Sequence, residues 1–324
     1  MVEISIFLKE IEIEDTYAEA FTGLFIRILV TKEIEIEEKD KKDFFIERDP
    51  LRLAAYRATS TPSTVVGRIE AGIERWVEGD ETPDGNEGVI LQFWKSYGAN
   101  KGLEEQVKDF FWEVSIRIRQ DILSVPFMRI FDWGGRDNAI EYIKIDTEEM
   151  VGRCGGGHEY FSKEYGRDII NIPLMMGYDF KIDRYIRCGR GVAGGNIWYF
   201  CDSVKSGWNT ALTAVESIKE VEGVITPFYV CPSGSAAENY PPIGPPTNYP
   251  FCPTLKNRIE SSVPNGVRSI PEIVINGITE KSVKEAMRRA IYSVEGEEGL
   301  LKISAGNYGG KLGDYRIYLK ELID

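Results

Sequence analysis

The chain has 324 residues, the length of one large domain or two average ones, so a buried core can form without disulfide or metal cross-links. Its 43% hydrophobic and 28% charged residues are ordinary for a globular protein and exclude a disordered or fibrous chain. The chain has 39 lysines and arginines against 52 aspartates and glutamates, and the resulting net charge of -13 opposes binding to phosphate backbones or anionic lipid. We therefore expect no nucleic acid and no membrane among the partners.

The start of the sequence does not have the pattern of a signal peptide or a membrane span. Its longest apolar stretch, residues 21–30, contains Arg27 and is much shorter than the roughly 20 apolar residues that a spanning helix needs. The five cysteines never form a CxxC pair, which favours free thiols in a reducing compartment. We expect a cytoplasmic protein.

The first half of the chain contains two predicted helices and two predicted strands. Residues 51–58 have a helical pattern, and residues 65–73 and 89–93 have strand patterns. After a turn at residues 97–102, apolar positions recur every three to four residues with charged side chains between them, which predicts a helix. These positions are Leu103, Val107, Phe110, Val114 and Ile118.

The second half repeats this order of elements. A helix is predicted at residues 208–218, strands at 224–230 and 272–275, and an Asn-Gly turn at 276–277. Thr279 is a predicted N-cap for a final helix. The apolar face of that helix comprises Val283, Ala286, Met287, Ala290, Ile291 and Val294.

This repetition favours an α+β protein made of two similar ferredoxin-like lobes, each an antiparallel sheet with helices packed on one face. The alternative is that any chain of alternating strands and helices repeats such elements. Two stretches interrupt the pattern. Residues 32–49 are dense in charge and predict a solvated insertion or an exposed strand pair. Residues 232–253 hold seven of the 15 prolines and predict a binding loop or a disordered connection.

Several familiar catalytic and binding patterns are missing. The only histidine, His158, has no GxSxG motif to accompany it, and the chain has no spacing typical of metal ligands, so we predict no metal site. The glycine-rich stretches at residues 191–196 and 304–312 depart from nucleotide-binding motifs and are interpreted as tight turns.

One acidic residue is the leading candidate for proton transfer. Glu272 begins an apolar strand directly after Pro271, where a partly buried carboxyl group would have a raised pKa and could exchange a proton near neutral pH. The alternative is an ordinary carboxylate on an edge strand. Glu70 and Asp132 are comparable but weaker candidates.

The same stretches resemble the formylmethanofuran:tetrahydromethanopterin formyltransferase family of methanogenic archaea, which has relatives in methylotrophic bacteria. The matching segments occur in the family's order across nearly the whole chain. They are IEDTYAEAF (13–21), EAGIE (70–74), TPDG (82–85), GVAGGN (191–196), EGVITPF (222–228), TN (247–248), CPT (252–254), EIVINGITEKSVKEAM (272–287) and KISAGNYGGKLG (302–313).

The resemblance implies transfer of a formyl group between formylmethanofuran and N5 of tetrahydromethanopterin, directly in a ternary complex and without a prosthetic group. Methanofuran and tetrahydromethanopterin are then substrates. It also implies two ferredoxin-like lobes and a homotetramer built from dimers, with a substrate cleft at a subunit interface. We place the N-terminal lobe at residues 1–174, including the insertion at 32–49, and the C-terminal lobe at 175–324, including the loop at 232–253.

By the same resemblance, Glu272 matches the proposed catalytic carboxylate of the family. The candidates for substrate binding are Asn196, Ser235, Asn248, Thr254, Asn307 and Lys311.

The sequence departs from the family in its expected binding loops. Ala236 stands where relatives have a lysine, and Gly156 and His158 stand where they have an aspartate and a tyrosine. Two functions therefore remain open. The first is an active formyltransferase that accepts a variant substrate. The second is a diverged, non-catalytic paralogue that binds or scaffolds within a larger one-carbon complex.

Overall fold

A computed structural model of the chain describes residues 6–8, 11–33, 49–60, 68–98, 101–135, 140–232, 248–311 and 313–323. The chain divides into two compact units. The central unit is Leu24–Arg190, and the terminal unit combines Met1–Gly23 with Gly191–Asp324.

The described residues form a mixed α+β structure with four α-helices. The helices are α1 (Pro50–Ala58), α2 (Leu103–Arg117), α3 (Val204–Ile218) and α4 (Glu280–Ser293). The strands are β1 (Ile6–Leu8), β2 (Ile11–Ile13), β3 (Tyr17–Lys32), β4 (Glu70–Val77), β5 (Gly88–Ser96), β6 (Met128–Asp132), β7 (Ile143–Asp146), β8 (Tyr160–Glu164), β9 (Arg167–Pro173), β10 (Asp179–Asp183), β11 (Tyr185–Cys201), β12 (Val224–Ile225), β13 (Glu272–Gly277), β14 (Leu300–Ser304) and β15 (Tyr315–Tyr318).

In the central unit, the strands lie in the order β6, β3, β5 and β4, and β3 runs antiparallel to β6. The sheet continues from β6 to β10, which runs parallel to it, and then through β9 to β8. Helices α1 and α2 contribute Leu51, Phe110 and Val114 to one buried core, together with Ile28 and Leu91 from the strands. The apolar positions predicted for α2 therefore form the side of the helix that faces the core.

In the terminal unit, the strands lie in the order β14, β11, β13 and β12, with neighbours antiparallel. The first strands of the chain join this unit, because β2 pairs in parallel with β14. Helices α3 and α4 cover one face, and the predicted apolar positions of α4 are all fully buried. Both helices begin with a reciprocal capping box, made by Ser203 and Ser206 in α3 and by Thr279 and Ser282 in α4.

The structure corrects several predicted boundaries. The turn predicted at residues 276–277 is wrong, because β13 continues through Gly277 and the side chain of Asn276 accepts a hydrogen bond from the Gly194 amide at 2.9 Å. The strand predicted at 224–230 is limited to two residues, and α3 begins at Val204, four residues earlier than predicted. Most of the charged stretch at 32–49 lies outside the described residues.

The compact units also differ from a division between residues 174 and 175. Residues 175–190 belong to the central unit, since β10 and the first part of β11 pair with β6 and β7. Residues before 24 belong to the terminal unit, where β15 pairs with the start of β3. Cross-strand pairing between segments distant in sequence therefore sets the two units.

Candidate functional site

The candidate site is built on the antiparallel pair β11 and β13 in the terminal unit. Trp198 lies directly opposite Glu272 in this pair. Alternate side chains of a strand point to opposite faces, and Ile273 and Ile275 are buried in the core beneath the helices. Glu272 and Trp198, together with Asn196 two residues earlier, therefore point to the face without α3 and α4.

The Glu272 carboxyl group is partly buried and held by its neighbours. The indole N–H of Trp198 donates to Glu272 Oε1 at 3.0 Å, and the Glu272 backbone exchanges hydrogen bonds with Cys231 at 2.8 and 3.0 Å. Burial raises the pKa of Glu272 above its usual value, and hydrogen bonds from Trp198 and Cys231 oppose that rise. A carboxyl group in this state is suited to proton exchange nearer neutral pH.

Trp198 connects Glu272 to the segment after residue 247. Its ring contacts Phe251 edge-on, with ring centres 5.1 Å apart, and both belong to an apolar cluster with Phe200, Val263 and Val267. Trp198 is 7% exposed, so the indole position is fixed by packing. The orientation of the hydrogen bond to Glu272 therefore depends on this cluster.

Asn248 and Thr254 lie on the segment that carries Phe251. Asn248 precedes a short 3-10 turn, where its carbonyl oxygen accepts from the Phe251 amide at 3.0 Å. The Thr254 hydroxyl lies 3.1 Å from the sulfur of Cys252. The structure thus brings Asn248 and Thr254 to the same side of the terminal unit as Trp198.

A pocket of about 380 Å³ opens on this segment. Its lining includes Thr254, Lys256 and Arg268, and it shares Val267 with the apolar cluster around Trp198. A concave surface with hydroxyl and cationic groups can hold a polar ligand.

Asn196 holds the C-terminal glycine loop. Its amide oxygen accepts from the Gly306 amide at 2.6 Å, and its amide nitrogen donates to the Gly306 carbonyl at 3.1 Å. Both ends of this side chain are therefore used within the protein, and Asn196 fixes where the loop starts.

Glu19 organises the rest of that loop and was missed by sequence reasoning. This buried carboxylate accepts hydrogen bonds from the amides of Tyr308, Gly310 and Gly313 at 2.6–2.8 Å. The sequence signal is an acidic residue inside the apolar strand YAEAF, where burial requires partners. The side chain of Asn307 turns towards the start of β3 and donates to the Thr16 hydroxyl at 3.2 Å.

The remaining predicted residues take no part in these hydrogen bonds. Lys311 is exposed at the end of the glycine loop, and Ser235 lies outside the described residues. His158 is exposed in the central unit. Within the described ranges, no three His, Cys, Asp or Glu side chains are grouped so that they could hold a metal ion.

Comparison with known sequences places the chain in a family. The profile of formylmethanofuran-tetrahydromethanopterin formyltransferase matches residues 6–174, and the profile of the proximal lobe of the same enzyme matches residues 178–322. The chain belongs to the formylmethanofuran:tetrahydromethanopterin formyltransferase family.

Relatives in this formyltransferase family match over almost their whole length. A formyltransferase-like protein of Methanopyrus kandleri is 45% identical over 100% of this chain and 99% of its own length. A second formyltransferase-like protein, from Archaeoglobus fulgidus, is 46% identical over 98% of each chain. The formyltransferase of Methanocaldococcus jannaschii is 38% identical over 98% of this chain and 99% of its own.

Two solved structures have the same fold as this formyltransferase family member. The enzyme from Methanosarcina barkeri superposes with a TM-score of 0.83 at 34% identity, covering 98% of this chain and 100% of the other. A chain of the formyltransferase/hydrolase complex from Methylorubrum extorquens, solved with methylofuran, gives a TM-score of 0.81 at 28% identity and covers 99% of each chain.

One family motif proves to be part of the framework of the central unit. Glu74, in the EAGIE segment, forms a buried two-point ion pair with Arg27 and accepts from the Gln92 amide at 2.7 Å. Removing one partner of such a pair leaves an uncompensated buried charge, so this segment supports the fold.

Along the described part of the chain, no helix is long and apolar enough to cross a membrane.

Proposed function

We propose that the protein transfers a formyl group between formylmethanofuran and N5 of tetrahydromethanopterin. The observation that carries this proposal is Glu272, a partly buried carboxyl group with a raised pKa that Trp198 orients on the sheet face not covered by α3 and α4. The choice of these two substrates follows from membership of the formyltransferase family. Transfer is direct, with both substrates bound together, since holding them in one cleft removes the need for a productive collision.

The reaction needs a group that can give and take a proton. N5 of the pterin attacks the formamide carbon, and a tetrahedral oxyanion forms. The bond from that carbon to the methanofuran nitrogen then breaks, and the departing amine must gain a proton. Neutral Glu272 donates this proton, and its carboxylate accepts the one that N5 loses, so the protein ends in its original protonation state.

The other site residues fall into two proposed roles. Asn196 acts through Gly306, because its amide is already bonded at both ends and so sets the position of the glycine loop. Asn248, Thr254, Asn307 and Lys311 remain predictions as direct contacts to substrate. The pocket beside Thr254 supports that role for the segment after residue 247. Ser235 stays a prediction from the sequence.

We also propose that the two units are copies of one ferredoxin-like lobe. Each contains the order strand, helix, strand, strand, helix, strand, and the first strand lies between the fourth and the third in both sheets. This is the arrangement expected of a split βαβ motif. A cytoplasmic homotetramer built from dimers, with the cleft at a subunit interface, remains the expectation from the resemblance.

The second candidate function is a non-catalytic subunit that binds or scaffolds. It is favoured by two observations: relatives at 45 and 46% identity carry the name formyltransferase-like, and one similar structure is part of a formyltransferase/hydrolase complex. The changed residues Gly156 and His158 add to it, since they replace groups that the family uses in a loop.

The test is an assay of the purified protein with formylmethanofuran and tetrahydromethanopterin, following the N5-formyl product. We expect turnover by the wild type and a loss of about ten- to a thousand-fold in Glu272→Gln, the range for removing a proton-transfer group. Glu298→Gln, an exposed substitution in the same unit, is the matched control and should keep full activity.

The two functions predict different results in this assay. Absence of wild-type turnover at both low and high salt, with both substrates bound, would favour the scaffolding function. Full activity in Glu272→Gln would leave the transfer reaction in place and remove Glu272 from it.

A further inference from the structure

The central unit contains a second pocket, of about 310 Å³, at the end of two parallel strands. Asp132 is the last residue of β6 and Asp183 the last residue of β10, and the register between Ile130 and Ile182 brings both strand ends to the same edge. The Asp132 amide donates to Asp183 Oδ2 at 2.7 Å. Two carboxylates that lie far apart in sequence thus form the floor of this pocket.

Each carboxylate is paired with an arginine that reaches towards solvent. Arg187 Nε donates to Asp132 Oδ2 at 2.6 Å, and Arg167 Nη1 donates to Asp183 Oδ2. The aspartate side chains are 9% and 5% exposed, whereas those of Arg187 and Arg167 are 39% and 30% exposed. The anionic groups are therefore buried and the cationic groups face the pocket.

Several hydrogen-bond donors at this pocket have no acceptor among the described residues. Among the described residues, Arg187 Nη1 and both Nε and Nη2 of Arg167 have no acceptor, and the Lys144 ammonium lies 3.6 Å from the centre of the Tyr185 ring without an ion pair. A planar guanidinium group matches the oxygens of a carboxylate, sulfate or phosphate group. A ligand with acceptor oxygens would provide the hydrogen-bond acceptors that these donors lack.

We propose that this pocket binds a small oxyanion through Arg167, Arg187 and Lys144, and that Asp183 takes up a proton when the anion binds. Asp183 Oδ1 is buried and has no hydrogen-bond partner among the described residues. Protonation of this carboxyl group removes the negative charge paired with Arg167, so the guanidinium charge becomes available to the ligand.

The surroundings of Asp183 support this coupling. Burial raises the pKa of Asp183 to about 6, the charge of Asp132 adds to the rise, and Arg167 and the Asp132 amide oppose it. Asp168 is exposed and paired with Lys163 at 3.4 Å. The titratable and charged groups around Asp183 are Asp132 on β6, Tyr142 and Lys144 at β7, Arg167 and Asp168 on β9, and Tyr185 and Arg187 on β11.

The experiment titrates the full chain with sulfate, whose charge is constant between pH 5 and 7, at fixed ionic strength. Arginine side-chain Nε–Hε resonances of Arg167 and Arg187 are followed by NMR. We expect saturable shifts and binding about tenfold tighter at pH 5 than at pH 7, because the binding-competent fraction changes by that factor around a pKa of about 6.

Three variants refine the test. Lys144→Gln should weaken sulfate binding by about two- to five-fold at both pH values, whereas Lys205→Gln, an exposed lysine of the terminal unit, should leave it unchanged. Asp183→Asn should abolish the pH dependence. Non-saturable shifts, equal affinity at pH 5 and pH 7 in the wild type, or no effect of Lys144→Gln would each overturn the proposal. If Asp183→Asn does not fold, the wild-type pH dependence and Lys144→Gln decide it.

Discussion

At the scale of single residues, the proton affinity of Glu272 depends on one indole N–H. The Trp198 hydrogen bond at 3.0 Å stabilises the ionised carboxylate and so lowers its pKa, against the effect of burial. Trp198→Phe keeps an aromatic ring against Phe251 and removes the donor. Its effect therefore separates the hydrogen bond from the packing.

We expect Trp198→Phe to raise the pKa of Glu272, because the substitution removes a hydrogen bond that favours the ionised carboxylate. Because neutral Glu272 is the proton donor in the proposed reaction, the decline of kcat with rising pH should move to higher pH in the variant. A pH–rate profile of formyl transfer measures this. An unmoved profile, or one displaced to lower pH, would show that the indole does not set the proton affinity.

The position of Glu272 was predictable, but its partners were not. A carboxylate at the start of the apolar run EIVI predicts partial burial, as found. Its partner Trp198 lies 74 residues earlier, and only the register between β11 and β13 brings them together. Glu19 was missed for the same reason, since it accepts hydrogen bonds from backbone amides nearly 300 residues later in the chain.

At the scale of elements, helices were easier to predict than turns. The apolar positions of α2 and α4 repeat at helical spacing, and Thr279 caps α4 through its own side chain, so the signals are local. The Asn-Gly pair at residues 276–277 has a turn composition but forms the last two residues of β13. The side chain of Asn276 accepts a hydrogen bond from the Gly194 amide. A Cβ atom at Gly277 would lie 2.7 Å from the Val283 side chain, so the close packing of α4 on β13 requires glycine there.

The glycine loop at residues 306–313 is an element whose shape depends on Glu19. Glu19→Gln replaces one acceptor oxygen by a donor that faces backbone amides, and we expect the free energy of unfolding to fall by roughly 1.5–3 kcal/mol. Chemical denaturation of wild type and variant measures this. Glu298→Gln, an exposed glutamate in the same unit, should stay within about 0.5 kcal/mol of the wild type. A Glu19→Gln variant as stable as that control would contradict the role assigned to the carboxylate.

At the scale of the whole molecule, the sequence predicted the α+β class and the family but not the composition of the compact units. The two family profiles meet near residues 174–178, close to the predicted division. The compact units differ from that division at two places. Residues 1–23 belong to the terminal unit, and residues 175–190 belong to the central unit. Parallel pairing of β2 with β14 joins residues 290 positions apart in the chain, and no local sequence pattern predicts such a pairing.

The pH dependence of stability provides a test on the whole chain. Burial raises the pKa of Asp183 from 3.8 to about 6, so between these values the folded protein binds more protons at this site than the unfolded chain. The contribution of Asp183 to stability is therefore fully present below pH 3.8 and is lost as pH rises through 6. The size of this loss is about 3 kcal/mol, from a difference of about two pKa units.

Asp183→Asn removes this titration while keeping an oxygen that can accept from Arg167. Relative to its value at pH 4, where the unfolded carboxyl group is already partly ionised, the stability of the variant at pH 7.5 should therefore exceed that of the wild type by about 2.5 kcal/mol. Thermal unfolding of both proteins at the two pH values gives this difference, in which the contributions of all other carboxylates cancel. Asp168→Asn, at an exposed position of the same pocket, should follow the wild-type pH dependence. If Asp183→Asn also follows it, the carboxyl group of Asp183 is already ionised well below pH 6, and the proton uptake proposed for this pocket fails with it.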